Sequence, residues 1–95
     1  MLFSSTAGLA GSPTLSLYSA SKGAITLMTK AMALNHAPNN IRVNCIAPGF
    51  IATAMTESLG EDQHAKLTEA VPAGRLGTPE DVAACAVFLA SDEAA

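Results

Sequence analysis

Three stretches of the chain carry a regular apolar pattern, and polar or glycine-rich breaks separate them. Over residues 16–37, Leu17, Ala20, Ala24, Leu27, Met28, Ala31 and Leu34 recur every three or four positions with only Gly23 as a breaker. That period predicts a long helix. His36 stands near its negative end, and Pro38, Asn39 and Asn40 close it. Residues 41–47, Ile41-Arg42-Val43-Asn44-Cys45-Ile46-Ala47, alternate and then turn fully apolar before Pro48-Gly49, as in a strand covered on both faces. Over residues 79–91 a second helix is predicted. Thr78 offers a capping hydroxyl, Pro79 suits a first turn, Glu80 and Asp81 face the positive dipole end, and Val82, Ala83, Ala86, Val87 and Ala90 give an apolar stripe.

The remaining segments connect these elements. Leu2-Phe3 followed by Ser4-Ser5-Thr6-Ala7-Gly8 looks like the tail of a buried strand opening into a loop. Gly8, Gly11, Ser12 and Pro13 then carry that loop round to the long helix. Residues 54–77 mix short helical patterns with Gly60, Pro72, Gly74 and Gly77, and predict a lid over whatever site the fold builds. Strand end, helix and strand in this order make a βαβ unit with parallel pairing, so the class is α/β in one domain over residues 1–95. Ligands of such sheets bind outside the carboxyl ends of the strands, where Ser5 and the Pro48-Gly49 segment both lie.

Composition narrows the function. At 49% hydrophobic and 14% charged residues the chain is globular rather than disordered. The net charge of -3 hides an asymmetry, because residues 1–56 contain Lys22, Lys30 and Arg42 and no acid, while all eight acids follow. Three scattered cations form no basic stripe, which argues against nucleic acid. The longest apolar run, residues 82–90, is about half a membrane span, and the start has no cationic region of a leader, so neither membrane nor signal peptide is expected. Cys45 and Cys85 stand alone without metal-ligand spacing, and are expected as reduced, partly buried thiols in a cytoplasmic protein.

The candidate chemistry centres on Tyr18, the sequence's only tyrosine, and Lys22. Four residues apart on a helix, they share one face about 6 Å apart along the axis. An unperturbed phenol, with a pKa of about 10, is a poor base at neutral pH. A neighbouring ammonium favours its phenolate and brings it within range of reversible proton transfer. Ser5, thirteen residues upstream, offers a hydroxyl to an oxygen that also meets Tyr18. Protonating a carbonyl oxygen is half of a reduction, and no side chain here supplies the hydride. His64 on a polar helix face and Asn44 in the strand read as a solvated and a structural residue, and Ser4, Thr6 and Ser21 as loop and helix-surface hydroxyls.

The Ser5-to-Tyr18 spacing, the run Tyr18-Ser19-Ala20-Ser21-Lys22, Ile41-Arg42-Val43-Asn44 leading to Pro48-Gly49 and Thr53, and Arg75-Leu76-Gly77-Thr78-Pro79-Glu80-Asp81 together resemble the short-chain dehydrogenase/reductase family. A tyrosine and lysine at this spacing are a weak sign alone; the ordered series over the whole chain is a specific one. The resemblance implies a Rossmann-type, doubly wound parallel sheet, here about two strands with three or four helices. It implies an NAD(P)(H)-dependent oxidoreductase that interconverts a carbonyl and a secondary alcohol of a small-molecule substrate. In that reading Tyr18 is the general acid/base, Lys22 tunes it and holds the nicotinamide ribose, and Ser5 orients the substrate. Pro48, Gly49, Ile51 and Thr53 form a cofactor-binding segment, in which the backbone of Ile51 and the hydroxyl of Thr53 hold the carboxamide of NAD or NADP.

The same resemblance marks the chain as the later part of the family's domain, without its glycine-rich pyrophosphate turn or the residue that chooses NAD or NADP. Helix 16–37 is the expected subunit contact of a homo-oligomeric parent, and its small residues Ala20, Ser21, Gly23 and Ala24 would admit a sheet or a second subunit. Alone, the 95 residues are expected to fold poorly and to be inactive. The alternative is a non-catalytic chain that associates with a full-length subunit of the family.

Overall fold

The computed structural model describes residues 1–53, 56 and 58–95. Strand β1 (Leu2–Phe3) leads into a one-turn helix α1 (Ala7–Ala10) and then the long helix α2 (Ser16–His36). A 3-10 turn (Ala37–Asn39) returns the chain to strand β2 (Cys45–Ile46). Helix α3 (Glu61–Ala70), helix α4 (Pro79–Ala90) and a 3-10 turn (Asp92–Ala94) follow. β1 and β2 pair in parallel, Leu2 opposite Cys45 and Phe3 opposite Ile46, with α2 as the crossover. This is a partial Rossmann-type α/β unit.

Strand pairing runs further than the two-residue strands suggest. Leu2 N–H donates to Asn44 O at 2.9 Å, Ser4 N–H to Ile46 O at 2.8 Å and Thr6 N–H to Pro48 O at 3.1 Å. This every-second-residue ladder brings residues 4–6 and 48–49 out of the sheet side by side. The apolar pattern of residues 41–47 predicts a longer strand than Cys45–Ile46. Among the described residues its first positions lie opposite no partner stretch, and a strand exists only where another backbone pairs with it.

Residues 7–10, expected as loop, form α1 instead. Ser5 starts that turn: its Oγ accepts from Ala7 N–H at 3.2 Å and its carbonyl accepts from Gly8 N–H at 2.9 Å. α1 packs on the first half of α2, and the small residues of α2 admit this helix. A Cβ on Gly8 would lie 2.7 Å from the Lys22 carbonyl carbon and 2.9 Å from Gly23 N, so only glycine allows this approach. Ser4 staples the crossing from below. The residue is 4% exposed, and its hydroxyl donates to Lys22 O at 2.9 Å and lies 2.7 Å from Thr26 Oγ1. It is a buried structural group rather than the loop hydroxyl expected.

α2 ends one residue before the expected position, at His36, where Pro38 without an amide hydrogen tightens the chain into the 3-10 turn and Asn40 takes a left-handed φ of 58°. α4 begins with a full capping box: Thr78 Oγ1 accepts from Asp81 N–H, and the Asp81 carboxylate accepts from Thr78 N–H. Its far end is held to the sheet by Arg42, whose guanidinium donates to Leu89 O at 2.7 Å and to Ser91 O at 3.1 Å. Among the described residues the buried set is Leu76, Ser4 and Thr29, and no helix is long and apolar enough to cross a membrane. Cys45 is half-buried, while Cys85, expected as partly buried, is exposed.

Candidate active site

A cleft of about 660 Å³ opens beyond the carboxyl ends of β1 and β2. Its size falls in the range of small-molecule sites. Ser5, Tyr18, Gly49, Ile51 and Thr53 all line it. They reach it from three elements: Ser5 from the end of β1, Tyr18 from the first turn of α2, and residues 49–53 from the chain leaving β2. Pro48 is not among the residues lining the cleft, and its carbonyl accepts from Thr6 N–H. Thr6, Leu15, Phe50 and Thr56 also face the cleft, four residues that spacing arguments did not single out.

Lys22 stands behind Tyr18 rather than among the lining residues. Its Nζ lies 5.8 Å from the centre of the Tyr18 ring, the range in which a cation is attracted to an aromatic face. One of its three donors goes to Phe3 O at 3.2 Å, which ties the ammonium to the last residue of β1. The helical spacing of four thus does place cation and phenol on one face. The strand end then fixes the cation there.

Ser5 has a defined polarity. Because its Oγ accepts from Ala7 N–H, its hydroxyl hydrogen is left to donate elsewhere. Thr56 organises the opposite wall: its Oγ1 accepts from Thr53 N–H at 2.8 Å and contacts Thr53 O at 2.9 Å and Ile51 O at 3.4 Å. Gly49 has room, the nearest side-chain atom to a Cβ there being Thr6 Cγ2 at 3.8 Å. The wall is pinned from outside as well. Ile51 bridges Gly77 in parallel, with Gly77 N–H donating to Phe50 O at 3.0 Å and Ala52 N–H donating to Gly77 O at 2.7 Å.

Of the other candidates, His64 is exposed on α3 beside Leu59, Glu61 and Ala65, away from the cleft. His36 occupies the last turn of α2. The lid expected over residues 54–77 contains α3; Ala54, Met55 and Glu57 of that stretch lie outside the described residues. Among the described residues no three His, Cys, Asp or Glu side chains cluster as metal ligands.

A parallel βαβ unit with tyrosine, lysine and serine gathered at the strand ends defines a class, and the family comparison agrees with it. The family model described as enoyl-(acyl carrier protein) reductase matches residues 1–95, and the chain belongs to the short-chain dehydrogenase/reductase family. It is 49% identical over 89 residues to the 3-oxoacyl-(acyl-carrier-protein) reductase FabG of Chlamydia trachomatis, which covers 94% of this chain and 36% of that relative. With the protein of the same name from Thermotoga maritima it shares 49% over 90 residues, 95% of this chain and 37% of the relative. The crystal structure of the 3-oxoacyl-(acyl-carrier protein) reductase from Brucella melitensis superimposes with a TM-score of 0.92 at 40% identity, covering 98% of this chain and 35% of that one. The chain therefore spans a little over a third of the length of these relatives.

Proposed function

We propose that this chain carries the proton-transfer site of an NAD(P)(H)-dependent oxidoreductase that interconverts a carbonyl and a secondary alcohol. The observation that supports it best is the cleft in which Ser5 and Tyr18 meet residues 49–53, with the Lys22 ammonium against the Tyr18 ring. In the reducing direction the Tyr18 phenol gives its proton to the substrate oxygen. The Ser5 hydroxyl donates a hydrogen bond to the same oxygen and holds it toward Tyr18. Lys22 sets a positive charge beside the ring on which negative charge develops, and in the same reading reaches the ribose.

A nicotinamide, when bound, supplies the hydride that the side chains lack. The residues present fit its reactive end: the backbone of Ile51 and the hydroxyl of Thr53 stand on a wall held rigid by Thr56 and Gly77, and Gly49 beside Pro48 leaves space for a ring. Whether NAD or NADP is used is decided by residues other than these. For substrate, the relatives are named for a 3-oxoacyl group on an acyl carrier protein, and the ketone of such a thioester is the carbonyl we assign here. The unpaired thiols suit a cytoplasmic setting.

The test is a chimera in which these 95 residues replace the matching part of the Thermotoga maritima relative. It is expected to oxidise NADPH with a 3-oxoacyl thioester, and Tyr18→Phe to lower kcat by about 10²- to 10⁴-fold. A folded chimera with no turnover, or one indifferent to Tyr18→Phe, would sink the reading. A second reading, association with a full-length subunit of the family, draws on Leu17 and Leu34, 86% and 80% exposed on α2. Co-purification with such a subunit, without dinucleotide binding by the chain itself, distinguishes it.

A further inference from the structure

The turn before α4 holds more polar order than a lid hinge needs. One carboxylate oxygen, Asp81 Oδ2, accepts from Arg75 Nη1 at 2.9 Å and from Thr78 N–H at 2.9 Å. Arg75 Nη1 also donates to Leu76 O at 3.0 Å. Leu76, between them, is 7% exposed and is the buried apolar residue among those described. Residues 75–78 are thus fixed on both sides of Gly77.

Gly77 is the residue that meets the cleft wall. It gives its N–H to Phe50 and takes the N–H of Ala52, so it closes both sides of the parallel bridge under Ile51. A Cβ on it would lie 2.7 Å from Ile51 Cδ1 and 3.9 Å from Asp81 Oδ2. The carboxylate therefore sits beside the backbone that pairs with Phe50 and Ala52. Both Arg75 and Asp81 are largely solvent-exposed, where an isolated ion pair adds little stability. Its geometric effect is larger, because a single oxygen joins Arg75 to the Thr78 N–H, which shares one peptide unit with the Gly77 carbonyl that takes the Ala52 N–H.

We infer that Asp81 is a positioning residue for the cleft, acting through Arg75, Thr78 and Gly77 to hold the Phe50-Ile51-Ala52 wall against which the nicotinamide end of the cofactor rests. The part that concerns the cofactor rests on the function proposed above; the part that concerns the wall does not. In the chimera, Asp81→Ala is expected to lower amide-exchange protection at Ala52 and Gly77 by about tenfold while Leu2, Ser4 and Thr6 stay within about twofold. Arg75→Ala leaves the capping box in place, so it is expected to lower the same two amides by a smaller factor. Asp81→Asn, which keeps an acceptor for Thr78, is expected to recover part of the loss.

Kinetically, Asp81→Ala raises the KM for NADPH severalfold and leaves kcat near its starting value. Unchanged protection at Ala52 and Gly77, a uniform loss that includes Leu2 and Ser4, or no protection of these two amides before mutation overturns the inference. So does a fall in kcat with KM unchanged. If the chimera turns nothing over, the functional reading fails and the exchange result alone decides the role of Asp81.

Discussion

Glycine at position 8 shows how one residue sets the position of the catalytic candidates. Alanine there would gain helix propensity of about 1 kcal/mol, but its methyl would meet backbone atoms of Lys22 and Gly23, which cannot rotate away. Overpacking of this kind costs about 1–3 kcal/mol, so the clash wins. Gly8→Ala is expected to lower the urea midpoint of the chimera and to reduce turnover, since the turn carrying Lys22 must shift away from Phe3 O. Tyr18 and Lys22 were legible in the sequence because helical spacing alone decides which face they share. Ser4 was not. Its role depends on Thr26, twenty-two residues away, and nothing local to a Ser-Ser-Thr run says which hydroxyl turns inward. Thr56 escaped for a different reason: its partners, Thr53 and Ile51, are only three and five residues back, but these contacts follow no repeating period.

Among the elements, α4 has a start that depends on pH. Hydrogen bonding from Arg75, and then from Thr78, lowers the Asp81 carboxyl from its ordinary 3.8 to about 2. Because the folded value is depressed, the contribution is present above the unfolded value and is lost as pH falls through about 2. Protection of the α4 amides is therefore expected to fall between pH 4 and pH 2. Asp81→Asn should flatten that dependence, as amide exchange across the range would show. α2 and α4 were readable in advance because period, cap and proline are local signals. The β-strands were readable only as apolar runs, since their length is set by the partner they meet. α1 was hidden under Gly8, whose purpose is close packing rather than flexibility, a distinction that depends on α2 lying across it.

At the scale of the whole molecule, surface and core are out of proportion. The chain exposes 6743 Å², whereas a compact monomer of 9.6 kDa exposes about 5,100 Å². Its radius of gyration is 15.4 Å against about 12.4 Å for a compact domain of this length. Leu17, Leu27, Leu34 and Val87 are each more than two-thirds exposed. On its own the chain is thus expected to bind a hydrophobic dye such as ANS, to unfold with low cooperativity and to show no NADPH-dependent turnover. Completion in the chimera should suppress dye binding; a chain that is dye-silent and sharply cooperative alone would contradict this. The Arg42 fork adds a consequence for the order of events in folding. It joins the segment that leads into β2 to carbonyls 47 and 49 residues further on, half the chain away. Loops of that length close late, so the contact belongs to the native side of the folding barrier. Removing it, at about 1 kcal/mol, is expected to leave the refolding rate in place and to speed unfolding about fivefold. Arg42→Lys should behave almost as Arg42→Ala does, because a single ammonium cannot span two carbonyls as the planar guanidinium does. Arg42 would then act as a latch on the lifetime of the folded state, with little influence on how quickly that state is reached.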